Sequence, residues 1–250
     1  MIKSEKLEAQ ESILDTLKKE GMLSFDVKLT PEEKVCIHDV RIEHNVSDLN
    51  HYGNIDEVLV KNLRTYLNQL GANAEEVTKT IAELITRLAE VMRKTFNKSS
   101  VWLAVRTSLP NTDWDVPRWH RDGGFLNDDN GNLVTEEFKL VFTLKGAPTR
   151  FAEVIDIQKF EEYEREEILN NEHDGLEGYE ERALAIRRKL EETVREIPVG
   201  KKGFATIYRV DGTHGKIHSE PEITEPRIFI SIITGSQSQI EELQRRFSSY

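Results

Sequence analysis

At 250 residues, with 38% hydrophobic and 32% charged residues, the chain can bury a substantial core in one compact unit and does not have the composition of a disordered segment. The formal net charge of -11 argues against nonspecific nucleic-acid binding, because a phosphate backbone attracts a basic surface. The single cysteine, Cys36, leaves no disulfide to close within the chain, and its apolar neighbours Val35 and Ile37 suit a small buried thiol.

The first twenty residues are charged throughout and hold no apolar stretch of signal-peptide length. No later segment approaches the roughly 20 apolar residues that cross a bilayer, so a cytoplasmic protein without a membrane span is expected. Leu7, Ile13, Leu14 and Leu17 form the apolar stripe of an opening helix that Gly21 ends. Residues 23–29 and 35–42 have strand-like composition, with Pro31 in the break between them. Ile55, Val58, Leu59, Leu63, Leu67 and Leu70 recur at helical spacing before Gly71. Val77, Ile81, Leu84, Ile85, Leu88, Val91 and Met92 do the same over about 74–96. Residues 1–98 therefore read as a mostly helical layer that packs on a sheet.

From residues 97–100 onward β signals dominate. Strands are expected at 101–108, 117–122, 138–144, 149–155, 203–210, 214–218 and 227–233, with the turn former Asp128-Asp-Asn-Gly-Asn132 between the second and third. Seven strands suit a jelly-roll or cupin-like barrel. The span of about 157–197 turns charged and helical, with Ala183, Ile186, Leu190 and Val194 as its apolar stripe, and reads as an insertion. A short amphipathic helix over 239–247 closes the chain. The expected organisation is α+β: a jelly-roll core over 99–250, an N-terminal helical layer and a helical insertion.

The chemistry is concentrated in His120-Arg-Asp122. In an extended chain the side chains at i and i+2 point the same way, so an imidazole and a carboxylate converge. A third ligand from a neighbouring strand would complete a 2-His-1-carboxylate face with open coordination positions, the arrangement that suits non-haem Fe(II). His214 and His218 are both candidates for it, and spacing alone does not choose between them. A rival His-x-acid pair, His218 and Glu220 with His214, would make Asp122 superfluous. Alternation over 227–233 puts Arg227, Phe229, Ser231 and Ile233 on one face and Ile228, Ile230 and Ile232 on the other. A face that begins with a guanidinium suits an acidic small molecule, because the planar fork matches a carboxylate at two points. Trp114, Trp119 and Phe125 flank the expected mouth, and Trp119 and Phe125 are candidate substrate contacts. His38, His44 and His51 show no ligand spacing, and no P-loop, Gly-x-Gly-x-x-Gly, Gly-x-Ser-x-Gly or Cys-x-x-Cys pattern is present.

His120-x-Asp122, then His218, then Arg227 resembles the Fe(II)/2-oxoglutarate-dependent oxygenase superfamily, over roughly the last 150 residues. Residues 117–122, 139–149 and 203–233 carry the resemblance and are also similar to an uncharacterised bacterial branch with a Pro-Arg-aromatic-His-x-Asp segment. The resemblance implies a double-stranded β-helix, Fe(II) held by His120, Asp122 and His218, and 2-oxoglutarate gripped at its far carboxylate by Arg227, with Ser231 a further cosubstrate contact. It implies hydroxylation or demethylation of a small-molecule or protein substrate. Many relatives have Arg-x-Ser where this chain has Arg227-Ile-Phe229 and its serine only at 231, and the helical insertion is larger than usual. Two other readings fit the same residues. One is a cupin-like metalloprotein of another reaction class, and the other is a non-catalytic binding protein on an oxygenase scaffold that holds a partner with its acidic helices.

Overall fold

The computed structural model describes residues 2–128, 130–171, 175 and 177–247. The opening stripe forms α1 (Ile2–Glu20), which Gly21 ends at φ +67°, a conformation glycine adopts without a Cβ clash. Leu17 of that stripe is fully buried, and the side chain of Leu7 lies outside the described part. There follow β1 (Met22–Asp26), α2 (Pro31–Asp39), β2 (Leu49–Gly53), α3 (Glu57–Gln69) and α4 (Glu75–Thr95). The later elements are β3 (Ser100–Ser108), β4 (Phe138–Lys145), β5 (Arg150–Val154), α5 (Ile157–Asn171), α6 (Tyr179–Glu191), β6 (Val194–Ile197), β7 (Phe204–Arg209), β8 (Ile217–Ser219), β9 (Arg227–Gly235) and α7 (Gln237–Phe247). Gly131, in the expected Asn-Gly turn, has φ +80°, while Asp129 of the same turn lies outside the described residues.

Two antiparallel sheets result, one in the order β1-β7-β4-β9-β3-β2 and a smaller one in the order β6-β5-β8. Alternation along the long strands decides the layers. Ile228, Ile230 and Ile232 of β9 and Val101, Leu103 and Val105 of β3 face outward and share one core with Leu59, Leu63 and Leu67 of α3 and Ile81, Leu84 and Leu88 of α4. Each such aliphatic side chain withdrawn from water contributes about 1.5–3 kcal/mol, so this face holds the helical layer in place. The other face of the large sheet turns toward the small sheet, where Val141 and Tyr208 meet Phe151. The small sheet is backed by α5 and α6 through Ala152, Phe160, Ile186, Leu190 and Ile217. This is the α+β jelly-roll arrangement with a helical layer on its large sheet. Among the described residues no helix is long and apolar enough to cross a membrane.

Four local expectations change. Residues 35–42, expected as a strand, are mainly helical, because Thr30, Pro31 and Glu33 write a helix start: the Thr30 hydroxyl accepts from the Glu33 N–H at 3.2 Å and the Glu33 carboxylate accepts from the Thr30 N–H at 2.8 Å. The strand β2, Leu-Asn-His-Tyr-Gly, was not visible as one, since it pairs only with β3 at a sheet edge and lacks an apolar alternation. Residues 117–122 form no strand beyond one bridge at His120. The end of the 157–197 insertion, Val194–Ile197, is a strand of the small sheet. Replacing Thr30 by Ala leaves the start of α2 without its cap, and a loss of about 1 kcal/mol, read as a fall of roughly 2–4 °C in Tm, is expected. An unchanged melting curve would show that the box contributes nothing beyond the Glu33 pairing with Arg87 at 2.7 Å.

Candidate metal centre and its cavity

His120 and His218 are cross-strand partners. Each N–H donates to the other's carbonyl at 3.0 Å, a two-point pairing that puts both side chains on one side of the small sheet with ring centroids 4.3 Å apart. Asp122, two residues beyond His120, reaches the same point: Oδ1 lies 3.9 Å from His120 Nε2 and Oδ2 lies 3.4 Å from His218 Nε2. One donor atom of each residue lies within 4.8 Å of the other two. His214 is not part of this group. It is an exposed residue on the 211–215 loop, 3.7 Å from Asp211, and Glu220 is engaged by Arg118 at 3.1 Å, so the rival His214/His218/Glu220 set is not assembled.

The two imidazoles are held in one tautomer. His120 Nδ1 lies 2.7 Å from the Arg118 carbonyl and His218 Nδ1 lies 3.0 Å from the Lys216 carbonyl. A carbonyl only accepts, so each Nδ1 carries the proton and each Nε2 presents a lone pair toward Asp122. Burial pushes both histidines down from the ordinary imidazole range, and the neighbouring His218 lowers His120 further, which keeps them neutral. Burial opposes ionisation of Asp122 too, but the Lys139 ammonium outweighs it and holds its carboxyl below the usual carboxylate range. Lys139 Nζ is 2.9 Å from Oδ2, and the Tyr208 hydroxyl donates to the same oxygen at 3.0 Å. Two neutral nitrogen donors and one carboxylate, with open space on the far side, form a donor set that fits a divalent first-row metal.

The group opens into a cavity of about 290 Å³ between the two sheets. Arg227, Phe229 and Ser231 all line it, as alternation along β9 predicts. Arg227 is 6% exposed, its Nε donates to the Ala147 carbonyl at 3.0 Å, and its guanidinium lies 4.7 Å from the Phe229 ring centroid. Gly146 makes room for it: at φ +87°, an added Cβ would come 3.0 Å from the Arg227 Cα. No carboxylate among the described residues lies within ion-pair distance of Arg227, and burial lowers its pKa to about 10. Phe125 lines the cavity as expected, and so does Trp114. Trp119 does not. It lies next to His120 in an extended segment and so points the opposite way, buried with Phe160 and Leu190 behind the small sheet and 5.1 Å beneath the Arg150 guanidinium.

Several residues of the site escaped the sequence. Lys139 and Tyr208 lie on strands whose neighbours are apolar, and a lysine beside Val141 on the inward face of β4 is the signal that alternation could have found. Arg118 enters the cavity because it shares the face of His120 and Asp122. Glu137 is 3% exposed and accepts from the N–H groups of Phe125 and Leu126, both at 2.9 Å, so it fixes the chain just past Gly123 and Gly124. Burial raises its pKa to about 7, against the lowering by those two N–H groups, and Asp122 adds to the rise.

No family model matches the chain, and no curated protein matches it. Among solved structures it is similar to a prolyl-4-hydroxylase from Pseudomonas putida, at 10% identity and TM-score 0.41 over 91% of this chain and 98% of that one. It is also similar to a dioxygenase for auxin oxidation from rice, at 9% identity and TM-score 0.44 over 91% of this chain and 77% of that one. A third is HygX from Streptomyces hygroscopicus, with nickel and 2-oxoglutarate bound, at 14% identity and TM-score 0.41 over 91% and 86% of the two chains. Likenesses of this degree bring no chemistry to the chain, whose site speaks through its own residues.

Glu137 yields a stability prediction. Its folded pKa of about 7 lies above the ordinary 4.5, so between those values the folded state keeps a proton the unfolded state has lost, and stability falls as pH rises through that window. Glu137→Gln keeps an acceptor and cannot ionise. Relative to the parent it is expected to gain on the order of 1–3 kcal/mol between pH 5 and pH 8, measured by chemical denaturation at both. The fixed cost of burying the amide NH2 leaves that slope untouched, so parallel pH profiles for the two proteins would overturn the assignment.

Proposed function

We propose that this protein is an Fe(II)- and 2-oxoglutarate-dependent oxygenase. The observation that carries the reading is the buried Arg227 guanidinium, which has no carboxylate partner among the described residues and faces the cavity of the two-histidine, one-aspartate group. A buried unpaired cation costs several kcal/mol, and a site retains one where an anionic ligand will neutralise it. A dicarboxylate that carries a keto acid at one end answers both features at once, the metal at one end and the guanidinium at the other.

His120, Asp122 and His218 would hold the iron, which together with 2-oxoglutarate and dioxygen supplies oxidation of a substrate C–H bond, hydroxylation or demethylation, with 2-oxoglutarate leaving as succinate and carbon dioxide. The chain's own residues do the rest by positioning. Arg227 grips the far carboxylate, held in line by the Ala147 carbonyl and by the Phe229 ring beneath it. Thr149, whose hydroxyl lies 3.5 Å from the guanidinium, and Ser231, two rungs further along the same face, offer hydroxyls to the cosubstrate. Tyr208 and Lys139 fix Asp122 through Oδ2 and keep it ionised. The Nδ1 hydrogen bonds to the Arg118 and Lys216 carbonyls prevent either histidine from rotating its lone pair away.

Anaerobic addition of Fe(II) and then 2-oxoglutarate is expected to produce a weak visible metal-to-ligand absorption band, absent with either alone and absent in Asp122→Ala. Tight metal binding without that band would point instead to a metalloprotein of another reaction class. Arg227→Leu is expected to raise the 2-oxoglutarate concentration for half-saturation at least about 30-fold, equivalent to roughly 2 kcal/mol. The apo variant's Tm should hold or rise, since a buried unpaired charge has been removed. Unchanged cosubstrate affinity in that variant would remove the main support for the reading.

A further inference from the structure

The cavity carries more positive charge than a metal and a dicarboxylate use. Its wall holds Arg106, Arg118, Lys139 and Arg227 against Asp122 and Glu220, and Arg106 is met from outside the cavity by Asp48 at 3.0 Å. Arg118 is matched by Glu220 at 3.1 Å and Lys139 by Asp122 at 2.9 Å. A divalent cation and a doubly charged cosubstrate cancel each other, so the wall as a whole keeps one formal positive charge, and Arg106, half-exposed and paired with Asp48, is its cation nearest the middle of the β3 face. This occurs in a protein whose formal net charge is -11, so the surplus belongs to the site and not to the molecule at large.

The register across the large sheet shows where that space lies. Along β3 the cavity face carries Trp102, Ala104, Arg106 and Ser108, and in β9 these stand beside Ile233, Ser231, Phe229 and Arg227 respectively. Ser108 and Arg227 thus share the anion end, and Arg106 stands one rung nearer the middle, on the side away from β4. Trp102 and Arg106 are four residues apart, roughly 13 Å along the strand, and the only residue of that face between them is the small Ala104. Around Trp102 a wall of rings is assembled. Phe125 meets it edge-on at 5.4 Å, Phe247 lies against it at 5.5 Å, and the indole is locked by its N–H bond to the Asn50 side chain at 3.0 Å. Phe247 is 46% exposed, an aromatic ring at the rim that stacks on Trp102 from one side. A charged fork at one end of a strand face and an aromatic wall at the other define a ligand of matching polarity. A cavity of about 290 Å³ is at the low end for small-molecule sites.

We propose that the substrate of this site is a small organic monoanion with a flat aromatic body, its ring seated against the Trp102, Phe125 and Phe247 wall and its carboxylate held by Arg106. The proposal rests on the oxygenase reading for the word substrate. Arg106 is a specificity residue here, since it selects the charged group and takes no part in holding metal or cosubstrate.

The test is calorimetric titration of the full chain loaded with Mn(II) and saturating 2-oxoglutarate under argon, with 3-phenylpropionate, 3-phenylpropionamide and hexanoate as probes. Cosubstrate binding is measured first in the same protein. Its absence would overturn the oxygenase reading, and this proposal with it. With the cosubstrate bound, 3-phenylpropionate is expected to bind at least about tenfold more tightly than the neutral amide or the ring-free acid. Arg106→Gln should erase the preference over the amide, and Phe247→Ala at the rim should reduce the preference over hexanoate, each with a Tm close to the parent's. Equal binding of acid and amide, equal binding of acid and hexanoate, displacement of the probe by added 2-oxoglutarate, or no probe binding beside a bound cosubstrate would each overturn the proposal alone.

Discussion

The site depends on one backbone pairing. His120 and His218 are nearly a hundred positions apart, and the two hydrogen bonds between their peptide groups make them direct neighbours across the small sheet. Once that pair is set, geometry leaves little freedom: both imidazoles project to the same side, and the residue two beyond His120 must join them. The side-chain contacts to the Arg118 and Lys216 carbonyls then orient the rings, and the cavity forms wherever the opposite sheet withdraws. Residues 117–122 need not be a strand for this to work. A single bridge at the right residue suffices: Arg118 and Asp122 share the cavity side with His120, while Trp119 and Arg121 turn to Phe160 on the other.

The electrostatics of the cavity follow from its enclosure. Two neutral imidazoles and an ionised carboxylate would be a costly group to bury, and Lys139 and Tyr208 offset that cost from the floor of the large sheet. Arg227 is compensated differently, by a carbonyl and a ring face, and both are weaker partners for a guanidinium than a carboxylate. The charges are thus arranged as a gradient, from a filled ion pair at the donor group to an unfilled cation at the start of β9. Folding tolerates the unfilled end because the helical layer on the outer face supplies a large, continuous apolar core that owes nothing to the cavity.

Legibility in the sequence followed the range of the interaction that decided each feature. The long amphipathic helices α3 and α4 and the strands β3, β4, β7 and β9 were readable because their apolar residues repeat with a fixed period within one element. The split of β9 into an isoleucine face and an Arg227-Phe229-Ser231 face was readable for the same reason. Where a local signal was read with the wrong period the expectation failed. The Val-Cys-Ile run of α2 has strand composition, but Thr30 and Glu33 start a helix ahead of it. Trp119 could have been placed correctly by the rule that joined His120 to Asp122, since an odd step in an extended chain reverses the side.

Sequence alone determined that a histidine and a carboxylate converge at 120 and 122, that an arginine heads an inward strand face at 227, and that helices cover one sheet, because each of these is a consequence of periodicity within a single stretch of chain. Spacing alone could not choose between His214 and His218, nor could it reveal that Lys139, Tyr208, Arg106 and Trp102 border the same space. Those facts belong to register between strands, and register is decided by how two faces of a sheet bury their apolar rows against layers supplied from elsewhere in the chain.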